Sequence, residues 1–219
     1  MCRNSNRACN RGLKDEPNRL FAGHISACGR SLVRRLVQPC QGRELCQRHA
    51  STAPRDCRTI GKPSELDGST TRVCPGKAGL VVLISEDDLR ETVSVGRNRA
   101  AAAKEPAAGT WFGPFNSTTS TIEWRSLDGR PFAIIQRWHI ADNDEQDKEG
   151  RPVTKAMLVV TRLPPGAVCH VAYIDVKANP NANQLARKAA DELGRDFHCG
   201  KDDVKVIGER GRATELVKR

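Results

Sequence analysis

The sequence predicts an α+β domain: a mostly antiparallel sheet of about six to seven strands with one long C-terminal helix packed on one face. Three observations indicate this class. Short runs rich in Val, Ile and Leu recur at strand length, turn signals separate two pairs of these runs, and one amphipathic stripe of helical spacing follows them. We assign this single domain to residues 51–210, with a disordered or misassigned basic leader at 1–50 and a frayed tail at 211–219.

The first 50 residues differ in composition from the rest of the chain. They contain five of the nine cysteines, no sustained hydrophobic period, and 10 Lys and Arg against 3 Asp and Glu, which is +7 of the net charge of +10. Such a segment is typical of an unfolded leader, and weak nucleic-acid binding through its charge is the alternative. Because the rest of the chain is nearly balanced, the sequence disfavours nucleic acid as a partner.

Membrane and export signals are weak in this sequence. No stretch approaches the ~20 apolar residues of a membrane span, so we predict no membrane-spanning segment. The run SLVRRLVQ is interrupted by Arg34 and Arg35 where a signal peptide would be apolar. The cysteines discussed below favour a periplasmic or secreted location. A cytoplasmic location is the alternative for the chain as given, because it lacks a signal peptide.

The strand pattern begins after a loop-rich segment at 55–78, which contains one short strand at 72–74. LVVLIS at 80–85 is typical of a buried strand, and ETVSVG at 91–96 alternates as a half-buried strand does. Residues 97–110 form a flexible or partly helical connector. Two hairpins follow: Asp-Gly separates TIEWRS from PFAIIQRWHI, and Pro-Pro-Gly separates KAMLVVTRL from AVCHVAYIDV. The uninterrupted run MLVV predicts a central strand that is buried on both faces.

The predicted helix has the clearest pattern in the chain. Asn179 is suited to the N-cap and Pro180 to the first helical position, and Gly200 is suited to a left-handed C-terminal cap. A single apolar stripe lies between them: Leu185, Ala186, Ala189, Leu193 and Phe197. Residues 204–208 then predict a last edge strand.

Chain geometry predicts a disulfide between Cys169 and Cys199. About seven strand residues after Cys169 span roughly 24 Å, and a helix of about 18 residues spans roughly 27 Å. A helix that doubles back along its strand therefore returns Cys199 to Cys169. Strand alternation also places Cys169, Val171 and Tyr173 on the face that the helix covers.

Cys57 and Cys74 pair by elimination, since they are the other two cysteines of the domain. Four reduced thiols are the alternative. A zinc site at Cys169-His170 and His198-Cys199 is disfavoured, because neighbours on a strand point to opposite faces. We therefore predict no metal and no cofactor.

A few single residues are weak candidates for acid–base chemistry or cation binding. Glu86, Asp87 and Asp88 form a carboxylate cluster, although a capped corner between two strands is the favoured explanation for them. His139 and His170 lie on predicted strands, where a histidine is more often hydrogen-bonded than catalytic. The sequence contains none of the common nucleophile, zinc-protease or phosphate-loop motifs, so it favours a protein that is not an enzyme.

The segment 111–116 is the candidate binding surface. Trp111, Phe112 and Phe115 are three of the eight Trp and Phe residues in the chain. An aromatic loop of this kind contacts a protein or a glycan in many interfaces. A plug that covers an open end of the sheet is the alternative.

Three segments carry a resemblance: VCPGKAGLVVLISEDDLRETVSVG, the IEWR…PFAIIQRW hairpin and PGAVCHVAYIDVKANPNANQLARKAADE. Over residues 55–208 the chain resembles a group of small conserved hypothetical proteins of bacteria that look exported. The resemblance implies the same four cysteines and the strand–helix ending, and it implies no catalytic residues. The first hypothesis is thus an envelope interaction or accessory domain, with an enzyme using an acidic or histidine site and a leader that binds nucleic acid as alternatives.

Overall fold

The computed structural model describes residues 45–60 and 69–217. These residues form ten strands of one mixed sheet and three short helices, so the predicted α+β class with six to seven strands and a long C-terminal helix is wrong. The predicted helix of about 18 residues is 12 residues long and is followed by a further strand and a further helix. The helix ends at Leu193, so the residues between it and Cys199 form turns and irregular backbone.

The strand bounds are as follows: β1 (Leu45–Ser51), β2 (Arg58–Ile60), β3 (Thr70–Pro75), β4 (Val81–Asp87), β5 (Arg90–Gly96), β6 (Asn116–Leu127), β7 (Arg130–Gln146), β8 (Pro152–Arg162), β9 (His170–Asp175) and β10 (Lys205–Val206). The helices are α1 (Arg99–Ala102), α2 (Ala182–Leu193) and α3 (Arg212–Glu215). None of the helices in the described part of the chain has the length and apolar character needed to cross a bilayer.

The strand order along the sheet is β10-β9-β8-β7-β6-β5-β4-β3-β2, and β1 pairs separately with β6. Most neighbours are antiparallel, but β5 and β6 meet in parallel through the single pair Arg90↔Asn116, and β10 lies parallel to β9. After that single pair with β5, strand β6 pairs with β1. The antiparallel register of β1 and β6 runs from Ser51↔Thr121 to Leu45↔Leu127. The sheet therefore divides into a β2–β5 part and a part built from β1 and β6–β10.

Two apolar clusters lie on opposite faces of β7, β8 and β9. The first cluster joins these strands to side chains of β3–β5, and the second joins them to α2. Residues of β8 alternate between the two clusters: Met157 and Val159 belong to the first, and Leu158 and Val160 to the second. The MLVV run is thus buried on both faces, as its uninterrupted apolar character predicts.

A β-bulge in β9 changes which of its side chains meet the helix. The register against β8 shifts between Val160 and Thr161, and a bulge re-aims the side chains that follow it. Cys169 and Val171 pack with α2, whereas Tyr173 lies in the first cluster. The prediction that these three residues share one face is therefore wrong for Tyr173.

Ion pairs fix α2 across the sheet. Arg125 of β6 donates two hydrogen bonds, of 2.9 and 2.7 Å, to the carboxylate of Asp191. Arg187 of α2 donates in the same forked way to Glu123 of β6, which raises the pKa of the guanidinium. Forked pairs of this kind specify orientation as well as adding stability, so the helix is held at a defined angle on its strands.

The ends of the described chain extend past the predicted domain boundaries. Strand β1 begins at Leu45, within the segment 1–50 that the sequence assigns to the leader, and the rest of that segment lies outside the described residues. Helix α3 lies within the predicted tail, and its Ala213 and Thr214 are buried. The N–H of Ala213 donates to the buried Asp175 carboxylate at 2.9 Å, which attaches this end of the chain to β9.

Candidate functional site

The structure contains the two disulfides that chain geometry and elimination predict. Cys169 and Cys199 have Cα atoms 5.9 Å apart, and Cys57 and Cys74 have Cα atoms 4.2 Å apart. Cys46 is disulfide-bonded as well. Disulfides persist in oxidising compartments, so these bonds indicate that the domain folds in one. Across the described ranges, no three His, Cys, Asp or Glu side chains converge as metal ligands would.

Several of the predicted site residues meet at the end of the sheet where β4 ends and β6 begins. Glu86, Phe115 and His139 line one pocket of about 350 Å³, together with Leu89 and Glu91. The strand register explains this arrangement, since Ser117 pairs with His139 and Arg90 pairs with Asn116. Asp87 and Asp88 are exposed at the β4–β5 turn and do not line the pocket.

The aromatic segment 111–116 is divided between the core and the surface. Phe112 is 1% exposed and its ring contacts Trp138, Tyr173 and His170 at centroid distances of 4.9, 5.3 and 5.7 Å. Trp111 is 36% exposed, and Phe115 is half-buried. Phe112 is therefore a core residue, whereas Trp111 and Phe115 lie at the surface, and a binding role for these two residues stays a prediction.

Asn116 gives the loop its shape. Its side-chain oxygen accepts the N–H of Phe112 at 3.1 Å, and its amide donates to the carbonyl of Glu91 at 2.8 Å. These bonds satisfy buried polar groups where the chain leaves β5 for β6. They also direct Phe112 inward.

Arg90 connects the aromatic segment to the β4–β5 turn. Its guanidinium carbon lies 4.6 Å from the ring centroid of Trp111 and 5.6 Å from that of Phe115. Its Nε donates to the carbonyl of Pro114 at 2.9 Å, and its Nη1 forms an ion pair with Asp88. One side chain thus holds two aromatic rings, the loop backbone and the turn together through cation–π and polar contacts.

Leu89 at the tip of this turn is the most exposed large hydrophobic residue in the described chain, at 62%. It has φ +60, and Asp88 before it has φ +49, which is the backbone of a tight two-residue hairpin turn. Asn and Gly usually occupy such positions because they tolerate positive φ. An apolar side chain is therefore presented to solvent where neither packing nor backbone preference favours it.

His170 belongs to the core. It is 3% exposed, its Nδ1 lies 3.0 Å from the Tyr173 hydroxyl, and its Nε2 has no hydrogen-bond partner among the described residues. Burial lowers the pKa of His170 from 6.5 to about 4, and it raises the pKa of Tyr173. At neutral pH the ring is uncharged and closed in by aromatic side chains.

His139 has no carboxylate partner in the part of the chain described. Burial, and to a lesser extent the charge of Arg137, lower the pKa of His139. The carboxylate of neighbouring Glu91 already accepts three hydrogen bonds. They come from Arg72 and from the N–H and the hydroxyl of Thr118, at 2.6–2.8 Å. Catalytic histidines are commonly oriented by a carboxylate within hydrogen-bond reach, and the pocket does not offer that arrangement.

Leu89 and Arg90 lie beside Trp111 and Phe115 at this end of the sheet, but the sequence analysis does not identify them as candidate site residues. A large apolar residue directly after two aspartates in a predicted turn is the signal that would have found Leu89. No local pattern identifies Arg90, because its role depends on a loop more than 20 positions away in the chain.

No protein-family model, curated protein or solved structure matches the chain. The fold and the site together define a disulfide-bearing, β-rich domain with one partly apolar surface at an end of its sheet.

Proposed function

We propose that the protein is a non-enzymatic interaction domain of the bacterial envelope, periplasmic or secreted, and that it binds a protein partner. The contact surface is the aromatic ridge, defined as Leu89, Arg90, Trp111 and Phe115. The exposure of Leu89 beside the Arg90–Trp111 stack carries this proposal. The two disulfides support the compartment, since such bonds are rare in the cytosol.

The chemistry of the ridge supports a protein partner. Trp and Arg are the residue types that most often dominate the binding energy of protein interfaces. Arg90 already fixes the two rings, so little side-chain entropy is lost when they are covered. The strained backbone at Leu89 also fits a functional position, because a non-glycine residue at positive φ costs stability and such strain clusters at functional sites.

The experiment compares capture of envelope proteins by the wild-type chain and by ridge variants. Extracts of the bacterial envelope are passed over the immobilised full-length chain, and the retained proteins are quantified by mass spectrometry. For Leu89→Ser combined with Trp111→Ala we expect at least ~30-fold less of a retained partner, which corresponds to about 2 kcal/mol for a binding hot spot.

Val204→Ser is the matched control, because Val204 is an exposed apolar residue outside the ridge. It should retain the same partner as the wild-type chain. All variants are first shown to be oxidised and to be fully folded at the temperature of the assay. The proposal fails if ridge and control variants retain the same proteins equally, or if the ridge instead binds purified cell-wall glycan in a Trp111-dependent way.

A further inference from the structure

A second cavity, of about 960 Å³, lies at the opposite end of the same strands. It opens where β4 and β7 begin and where β6 and β8 end, next to the last turn of α2. The aromatic ridge lies where β4 ends and β6 begins. The two surfaces are therefore separated by the length of the sheet and share no residue.

Four arginines line this cavity, which we call the arginine groove: Arg97, Arg130, Arg162 and Arg195. Asp128 is the single carboxylate among the lining residues. The groove therefore carries a formal excess of three positive charges, in a domain whose other arginines include several that are paired with carboxylates, such as Arg125 and Arg212.

Three of these guanidinium groups have unused hydrogen-bonding capacity. The guanidinium groups of Arg97, Arg130 and Arg195 form no hydrogen bond or ion pair with any other residue that the structure describes, and that of Arg195 lies 5.8 Å from the ring centroid of Phe132. A guanidinium group presents a planar fork of donors that matches a carboxylate, phosphate or sulfonate. Guanidinium groups without a carboxylate partner that line one cavity are the chemical complement of an anion.

Arg162 has a different task, because it builds the wall. Its two terminal nitrogens donate to the carbonyls of Ala167 and Pro165, both at 2.8 Å, and its Nε donates to the carbonyl of Gly194. A Cβ on Gly166 would lie 3.0 Å from the guanidinium, and Gly166 has φ +86, so this wall requires glycine. The β8–β9 loop is thus fixed against the end of α2, and the groove is formed before any ligand arrives.

Part of the groove lining is apolar. Leu80, Pro131, Phe132, Leu163 and Pro164 are among the lining residues. Cavities of 300–1,000 Å³ with apolar walls and a few convergent polar groups are typical of small-molecule sites. A regularly charged polymer needs a row of positive charges along a surface. The lining of this groove instead combines four arginines with apolar residues.

From this geometry we propose that the arginine groove binds a small organic anion, whose carboxylate, phosphate or sulfonate meets Arg97, Arg130 and Arg195 and whose apolar body lies on Leu80, Pro131 and Phe132. This site goes beyond the proposed function, because it has no residue in common with the aromatic ridge. Arg162 is a positioning residue that maintains the wall.

The test uses anilinonaphthalene sulfonate as the probe, since it combines an anionic group with an apolar body and fluoresces in apolar surroundings. Its affinity for the full-length, oxidised chain is measured by titration, and thermal unfolding is followed with and without the probe. We expect saturable binding that raises the unfolding midpoint, because a ligand of the native state stabilises it.

The variant Arg97→Gln/Arg130→Gln/Arg195→Gln should weaken this binding at least tenfold. Arg58→Gln/Arg99→Gln/Arg210→Gln is the matched control, since it removes the same charge from exposed arginines outside the groove. The control should keep the wild-type affinity. Anilinonaphthalene without the sulfonate should bind at least tenfold more weakly than the probe, and inorganic sulfate alone should compete poorly.

Four results would overturn the proposal. These are equal losses in the groove and control variants, tight binding of the neutral analogue, complete competition by sulfate, or binding of a single-stranded oligonucleotide that exceeds probe binding and depends on the same arginines. None of these results involves Leu89 or Trp111, so the outcome is separate from that of the partner-capture experiment.

Discussion

The buried imidazole of His170 predicts that acid weakens the fold in a defined pH range. The pKa of this ring is about 4 in the folded domain, against 6.5 for an exposed histidine. The unfolded chain therefore binds a proton more readily than the folded one. The stability associated with the neutral ring is complete above pH 6.5 and is lost as the pH falls towards 4.

The size of the loss follows from the two pKa values. Between pH 7.5 and pH 5, linkage lowers the free energy of unfolding by about 2 kcal/mol, and below pH 4 the loss levels off near ~3 kcal/mol. The cause is desolvation of the charged ring, because Phe112, Trp138 and Tyr173 surround it. No carboxylate is hydrogen-bonded to it in the described chain to stabilise the imidazolium.

Urea unfolding at pH 7.5 and pH 5 measures this loss in the wild-type chain and in His170→Phe/Tyr173→Phe. The double variant removes the titrating ring together with the hydroxyl that would otherwise lose its partner. Other titrating groups are common to both proteins, so their contributions cancel in the difference. Equal pH dependence in the two proteins, or an NMR titration of His170 near pH 6.5, would refute the reasoning.

Three further predictions concern the disulfide, the aromatic segment and a close backbone contact. Removing the Cys169–Cys199 bond with a double Ala variant should lower the unfolding free energy by about 3–4 kcal/mol, since it opens a loop of separation 30; an unchanged urea midpoint would contradict this. Phe112→Ala should destabilise by about 3–5 kcal/mol and Trp111→Ala by about 1 kcal/mol or less, and the reverse order would place the wrong ring in the core. Gly96→Ala should destabilise by about 1–3 kcal/mol in thermal unfolding, because its Cβ would lie 2.5 Å from a backbone nitrogen of α1; a neutral substitution would mean that α1 moves aside freely.

Short-range patterns predicted the parts of the fold that depend on neighbouring residues. The Asp128-Gly129 turn has φ +51 and +74 and joins β6 to β7, as the dipeptide indicates. The pairing of Cys169 with Cys199 followed from the strand and helix directions, and the pairing of Cys57 with Cys74 followed by elimination. The strand number was wrong because β1 lies in the segment assigned to the leader and β2 lies in the segment assigned to loops, and neither contains an apolar run to detect.

The candidate site was predictable only in outline. Composition identified the aromatic segment, but it could not decide which ring turns inward. That choice depends on the β9 bulge, which turns His170 and Tyr173 toward the space that Phe112 fills. The arginine groove was missed for a similar reason, since Arg97, Arg130 and Arg195 are isolated in sequence and line one cavity only because of the strand order.

The Cys57–Cys74 bond also determines what a protease can do to this chain. Every peptide bond between these two cysteines lies inside a covalent ring, so a single cut there opens the ring without releasing a fragment. A nicked molecule would keep its full mass on a non-reducing gel and divide into two pieces only after the sulfurs are reduced. After such a cut, the bond from Cys74 in β3 to Cys57, just before β2, would still join the two parts of the chain. All strands of the sheet would therefore remain in one covalent molecule.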